Sequence, residues 1–295
     1  MTDDGGDPFV TTAWLHARLD EPDVRVVDAS FYLPAEGHSA QDLFEAAHIP
    51  GAVRFDVDAV ADRDSDLPHM LPAAAQFAEQ VGALGIGEGT RVVVYDQQGI
   101  KTAGRAWWML RAFGHAAVWI LDGGLPRWRA ENRPIEPGPA TAPEPAVFTP
   151  RFRSEWLETL ADVRAHLEHG DAAIADARPA ARFRGEAPEP RPEAARGHMP
   201  GAWNIPVTEL TDPETGCLKS PARLAGQFER AGLRPDKPTV ATCGSGVTAA
   251  TLAAALVRAG WRDVSVYDGS WAEWGTRMDT PIAVGPPGEA EESDE

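Results

Sequence analysis

The chain repeats itself at an offset of about 147–150 residues, and this repeat constrains the fold more than any other feature of the sequence. Val24-Arg-Val-Val-Asp28 recurs as Ala173-Ile-Ala-Asp176. His48-Ile-Pro-Gly51 recurs as His198-Met-Pro-Gly201. Val92-Val-Val-Tyr-Asp96 recurs as Thr239-Val-Ala-Thr-Cys243, and Leu121-Asp-Gly-Gly as Tyr267-Asp-Gly-Ser270. The order is kept throughout. The period is domain-sized, far beyond that of a solenoid. Two similar domains are therefore expected in the 295 residues.

Within each half, short apolar runs alternate with helical stretches. Ala74–Gly82 and Pro221–Glu229 read as matching helices, and the first helix of each half is expected at Thr11 or Thr12 and at Ser154, all good N-cap types. The alternation predicts α/β domains, each a mainly parallel sheet flanked by helices. Functional loops then belong beyond the C-terminal ends of the strands. Six prolines between Pro134 and Pro150 predict an extended, stiff connection. The expected layout is a first domain over 1–136, a linker over 137–150, a second domain over 151–284 and an acidic disordered tail over 285–295.

The totals exclude several classes. A net charge of −18 disfavours nucleic acid as a partner. No run of 18 apolar residues predicts a membrane span, and the acidic N-terminus lacks the apolar core of a signal peptide. The two cysteines, Cys217 and Cys243, argue against a disulfide framework and fit a reducing cytoplasm. Their spacing offers no zinc site, and no metal or organic cofactor is expected.

One of these cysteines stands in a reactive setting. Cys243-Gly-Ser-Gly-Val-Thr248 follows the strand-like run 238–242 and precedes a strong helix former, 249–258. Glycines at a strand-to-helix turn let backbone N–H groups curl toward the sulfur, and the helix N-terminus adds partial positive charge. Both favour the thiolate, the nucleophilic form. The alternative is a buried, inert cysteine at a tight turn. In the first half Asp96 takes the matching place and cannot accept sulfur.

Cys243-Gly-Ser-Gly-Val-Thr248 resembles the active-site loop of the mercaptopyruvate sulfurtransferases, tandem-domain members of the rhodanese superfamily. The resemblance covers nearly the whole chain. It implies two rhodanese-like domains, the first catalytically silent, with a cleft between them. It also implies that Arg182 and Arg191, nine apart in a Pro/Gly-rich loop, grip the carboxylate and carbonyl of the substrate. The residue-level alternative is surface arginines pairing with Glu186 and Glu189, with Arg184 structural. Gly244, Gly246, Val247 and Thr248 would bind substrate through the loop backbone. Asp58, His69 and Ser245 match a serine–histidine–aspartate relay that crosses the domain interface, provided the domains close over one another. Thiosulfate-preferring relatives carry basic residues where this loop has Gly244 and Ser245, which favours an α-keto acid thiol. Related phosphatases need an arginine six positions after the cysteine, and Ala249 stands there. Lys101 departs from the aromatic that relatives often carry, and could bind an anion or an acidic acceptor protein.

The reading that follows is sulfur transfer from 3-mercaptopyruvate, a small-molecule donor, through a Cys243 persulfide to cyanide or a thiol such as thioredoxin. The alternatives are a thiosulfate:cyanide sulfurtransferase and a non-enzymatic persulfide carrier. Other candidates read as structural. Asp62, Asp64 and Asp66 lack the glycine and the final glutamate of a calcium loop. His166 and His169 belong to a solvated helix face, His48 and His198 hold turns, and Cys217 is a passive thiol. Trp271 and Trp274 read as core, with Ser270 and Trp271 near the pocket edge.

Overall fold

The computed structural model describes residues 6–287; most of the expected acidic tail lies outside them. The first half runs β1 (Phe9–Val10), α1 (Thr12–His16), β2 (Val24–Asp28), α2 (Ala40–Ala46), β3 (Val53–Arg54), α3 (Val57–Val60), α4 (Ala74–Ala83), β4 (Arg91–Tyr95), α5 (Ala103–Ala112), β5 (Val118–Leu121) and α6 (Gly124–Ala130). The second runs β6 (Leu157–Glu158), α7 (Leu160–His169), β7 (Ala173–Asp176), α8 (Ala180–Phe183), β8 (Trp203–Asn204), α9 (Pro221–Arg230), β9 (Thr239–Thr242), α10 (Val247–Arg258), β10 (Val264–Tyr267) and α11 (Ser270–Trp274).

The two sheets have the same order, β1-β5-β4-β2-β3 and β6-β10-β9-β7-β8. All pairs are parallel, as the expected βα alternation requires. Asp96 and Cys243 each sit one residue past the central strand of their sheet.

Helix starts follow local capping chemistry. Thr11 accepts the Trp14 N–H and opens α1 as expected. In the second half the helix opens at Leu160, not at Ser154. Ser154 begins a single 3-10 turn, and Leu157–Glu158 is taken into the sheet beside β10. Thr159 then caps α7 reciprocally with Asp162, a pairing Ser154 lacks.

One apolar cluster runs through both domains, from Val27, Val92 and Val94 to Ala175, Ala241 and Val266. Two smaller clusters fill the outer faces of the two sheets. α5 and α10 pack against each other at the centre. Their approach is close enough that a Cβ on Gly104 would lie about 2.5 Å from the Thr251 backbone. The chain over 137–150 has no helix or strand, and it packs along α4 through Ala146 N–H to the Gly82 carbonyl and through Phe148 against Phe77.

Candidate active site

Cys243 is 2% exposed and sits where β9 gives way to α10. Its N–H donates to Ser270 Oγ at 3.2 Å, and Ser270 in turn donates to the Tyr267 carbonyl at 2.8 Å. The carbonyls of Cys243 and Gly244 accept the N–H groups of Trp271 and Ala272 at 3.0 and 2.8 Å. α11 thus clamps the carbonyl side of the loop. The N–H groups of Gly244 through Ala249 find no acceptor among the described residues. Gly246 turns the chain at φ 76°, a left-handed value that suits glycine.

The first domain shows what such a loop can hold. Asp96 is fully buried, and its carboxylate accepts the N–H groups of Gln98, Lys101, Thr102 and Ala103 at 2.8–2.9 Å. Four amides converge on one anionic side chain at the position matching Cys243. This is the anion-binding geometry expected for the cysteine loop, filled here by a carboxylate.

Over Cys243 lies a cavity of about 270 Å³ with walls from both domains. Gly244, Ser245, Val247 and Thr248 form its floor with the cysteine. Arg178, Arg182 and Arg191 enter from the second domain; Phe31, Glu36 and Lys101 enter from the first. Gly246 does not line it: that glycine faces the interface, where a Cβ would meet Arg105 and Asp268.

The arginines are not alike. Arg182 lies along Glu189 through Nε and Nη2, one of the pairings the residue-level alternative named. Arg178 is bidentate on Asp176 and also donates to Glu189 at 3.0 Å and to the Gly197 carbonyl at 2.8 Å. Its guanidinium stacks 4.2 Å from the Trp271 ring centre. Arg191 carries no ion pair among the described residues. Arg184 pairs with Glu186 away from the cavity, consistent with a structural place. Lys101 reaches the cavity, but its Nζ is held by Glu36 at 2.9 Å and Gln98 at 2.6 Å.

The expected relay is only half assembled. His69 Nδ1 lies 2.8 Å from Asp58 Oδ1, and that hydrogen bond holds the Asp58 carboxyl below its ordinary range. No hydrogen bond joins His69 to Ser245, and neither Asp58 nor His69 lines the cavity. The Phe31 ring stands edge-on to the imidazole at 4.7 Å and itself faces the cavity. Ser245 lies on the cavity floor without them.

Sequence reasoning missed Arg105. This fully buried guanidinium from α5 lies 2.7 Å from Asp268 Oδ1, contacts the Gly246 carbonyl at 3.5 Å and donates to the His69 carbonyl. It also missed Arg178 and Asp176, and it had Glu189 only as a surface partner of the arginines, whereas Glu189 is buried between Arg178 and Arg182. The rule that sites gather at strand C-termini pointed to the turn after β7, where Arg178 stands. The structural readings fit elsewhere. His48 and His198 stack on Phe44 and Phe183 and bond those residues' carbonyls. His166 pairs with Asp171, Trp274 is buried, and burial pushes the Cys217 thiol up.

Comparison with known proteins agrees with this architecture. The Rhodanese-like domain model matches twice, over residues 11–131 and 159–277. The chain is 44% identical over 272 residues to 3-mercaptopyruvate sulfurtransferase of Homo sapiens, covering 90% of this chain and 91% of that one. It is 42% identical over 275 residues to the Escherichia coli (strain K12) protein of the same name, covering 93% and 97%. A third relative, 43% identical over 94% of this chain and 78% of its own length, is the mitochondrial thiosulfate/3-mercaptopyruvate sulfurtransferase 1 of Arabidopsis thaliana. The solved structure of the 3-mercaptopyruvate sulfotransferase SseA from Escherichia coli superposes with a TM-score of 0.81 at 40% identity, covering 90% of this chain and 99% of that one. With two domain matches and relatives of this identity along nearly its whole length, the chain belongs to the rhodanese-like family and, within it, to the tandem-domain group of the 3-mercaptopyruvate sulfurtransferases.

Proposed function

We propose that this protein transfers sulfur from 3-mercaptopyruvate to a thiophilic acceptor through a persulfide on Cys243. The observation that carries the reading is the placing of Cys243 beneath a cavity that Arg182 and Arg191 also line, above an uncharged Gly244–Ser245 floor. The Cys243 thiolate attacks the thiol sulfur of the donor. The S–S bond forms as the bond from that sulfur to C3 breaks, and its electron pair leaves as pyruvate enolate. Arg191 and the Arg182 edge hold the carboxylate and carbonyl oxygens, which accumulate charge in this step. A proton then restores the methyl carbon, and Ser245 is the hydroxyl placed to pass it. The loop amides from Gly244 onward receive the outer sulfur. Cyanide, or a cellular thiol such as thioredoxin, attacks that sulfur and frees the cysteine, a ping-pong sequence.

Two free cysteines without a disulfide support a reducing compartment such as the cytoplasm. No helix among the described residues is long and apolar enough to cross a membrane.

Steady-state transfer to cyanide from 3-mercaptopyruvate and thiosulfate, side by side, tests the reading. A large preference for 3-mercaptopyruvate is expected. Preference for thiosulfate would overturn the donor assignment. Cys243→Ser should abolish transfer from either donor while the circular dichroism spectrum stays unchanged, and turnover like the wild type would sink the persulfide step.

A further inference from the structure

We propose that two carboxylates, Glu36 and Glu189, set the donor preference of this site by cancelling cavity cations, so that one guanidinium, Arg191, is left without a counter-ion among the described residues to meet the charge of the substrate. This inference rests on the reading above and adds its specificity determinants.

Four cations border the cavity: Arg178, Arg182, Arg191 and Lys101. Three of them are answered. Asp176 takes Arg178 in a bidentate pair with both side chains almost fully buried. Glu189, whose side chain is 3% exposed, lies behind the cavity wall and is shared by Arg178 and Arg182. Glu36 holds Lys101 at 2.9 Å on the opposite lip, which belongs to the first domain. Arg191 alone is left without a counter-ion among the described residues. The other buried charges nearby already have partners. Asp96 is spent on four backbone amides, and Arg105 and Asp268 answer each other beneath the cysteine loop.

A cavity with one uncancelled cation suits a monoanion such as an α-keto acid carrying a neutral thiol. A dianion such as thiosulfate brings a second charge that finds only occupied partners. Phe31, Leu33 and Val247 give the walls apolar stretches beside several hydroxyls. The Glu36–Lys101 pair on the lip is about one-third exposed, so charge acts there partly screened, and from Glu189 at a buried position. Lys101, which by sequence alone would favour an anionic donor, is therefore silenced by a residue 65 positions away. Glu189 has a further positioning part, since it fixes the Arg182 fork that the substrate must meet.

The experiment measures kcat/KM for thiosulfate and for 3-mercaptopyruvate in the full-length chain at low ionic strength, with cyanide as acceptor. Glu36→Gln should raise the thiosulfate-to-mercaptopyruvate ratio about tenfold, because the two donors differ by one charge. The double variant Glu36→Gln/Lys101→Gln, neutral again, should return the ratio to the wild-type value. Glu189→Gln should shift the ratio in the same direction, whereas Glu189→Asp, which keeps the charge, should hold it. Rising salt should shrink each shift, as screened charge requires. Ratios within about twofold of wild type in both Gln variants, where one removed charge should act far more strongly, would overturn the assignment. So would a double variant that behaves like Glu36→Gln alone. A wild-type preference for thiosulfate would instead defeat the donor reading, while the shifts among variants would still decide the charge assignment.

Discussion

Cys243 and Asp96 stand at one position in two copies of one loop, and the contrast between them shows how local backbone decides side-chain chemistry. Both follow a central strand, and both face a helix N-terminus. A neighbouring pair allows a prediction at this scale. His69 holds the Asp58 carboxyl below its ordinary range by a hydrogen bond. A lowered folded value means that the contribution is complete above the unfolded value of about 3.9 and disappears as pH falls through the lower folded one. The Asp58 side chain is 66% exposed, so solvent screening limits the effect to under about 1 kcal/mol. Urea unfolding of the wild type and Asp58→Asn should differ above about pH 4 and converge toward about pH 2. Parallel curves would show that the pair adds nothing. Cys243 was legible in the sequence because its signal is local: a strand, glycines and a helix within a few residues. Arg105 was not. Its partners at 69, 246 and 268 meet it only through the fold. Arg182 had two candidate glutamates within reach along the chain, and the turn after α8 decided for Glu189.

At the scale of elements, the same division holds. The helices at 74–83 and 221–230 follow from their own sequence patterns. The start of α7 did not, since Ser154 and Thr159 are both good caps and β6 forms only beside β10, over a hundred residues later. α5 and α10 approach each other closely. Gly104 meets Thr251 there, and the Thr251 hydroxyl donates to the Lys101 carbonyl at 3.0 Å. Because the obstacle is backbone, a methyl group cannot be absorbed by a rotamer change. Gly104→Ala should cost about 1–3 kcal/mol in chemical denaturation, as overpacking does. Activity should fall with it, since the cavity walls are carried by both helices' domains. A variant as stable as the wild type would mean the crossing yields more easily than its spacing indicates.

Across the whole molecule, the two halves latch to each other by matching contacts. Asp268 accepts the Leu71 N–H and meets Arg105; Asp122 accepts the Leu218 N–H and meets Arg258. The first latch is the deeper, with both side chains at most 2% exposed. Arg105→Leu leaves the Asp268 charge buried without its partner, and the expected loss is about 3–5 kcal/mol. Calorimetry or urea titration would read it, and a loss under about 1 kcal/mol would show that the Leu71 amide suffices for Asp268. The Cys243 loop is thus braced by the domain that has no cysteine. Asp96 gives that bracing a further meaning. A carboxylate cannot be loaded or discharged, so the first domain keeps its guest permanently and its loop never changes occupancy. In the persulfide cycle proposed above, the second cradles one sulfur at rest and two when charged. Joined through α5 and α10, the unchanging copy serves as the jig in which the changing one is held true.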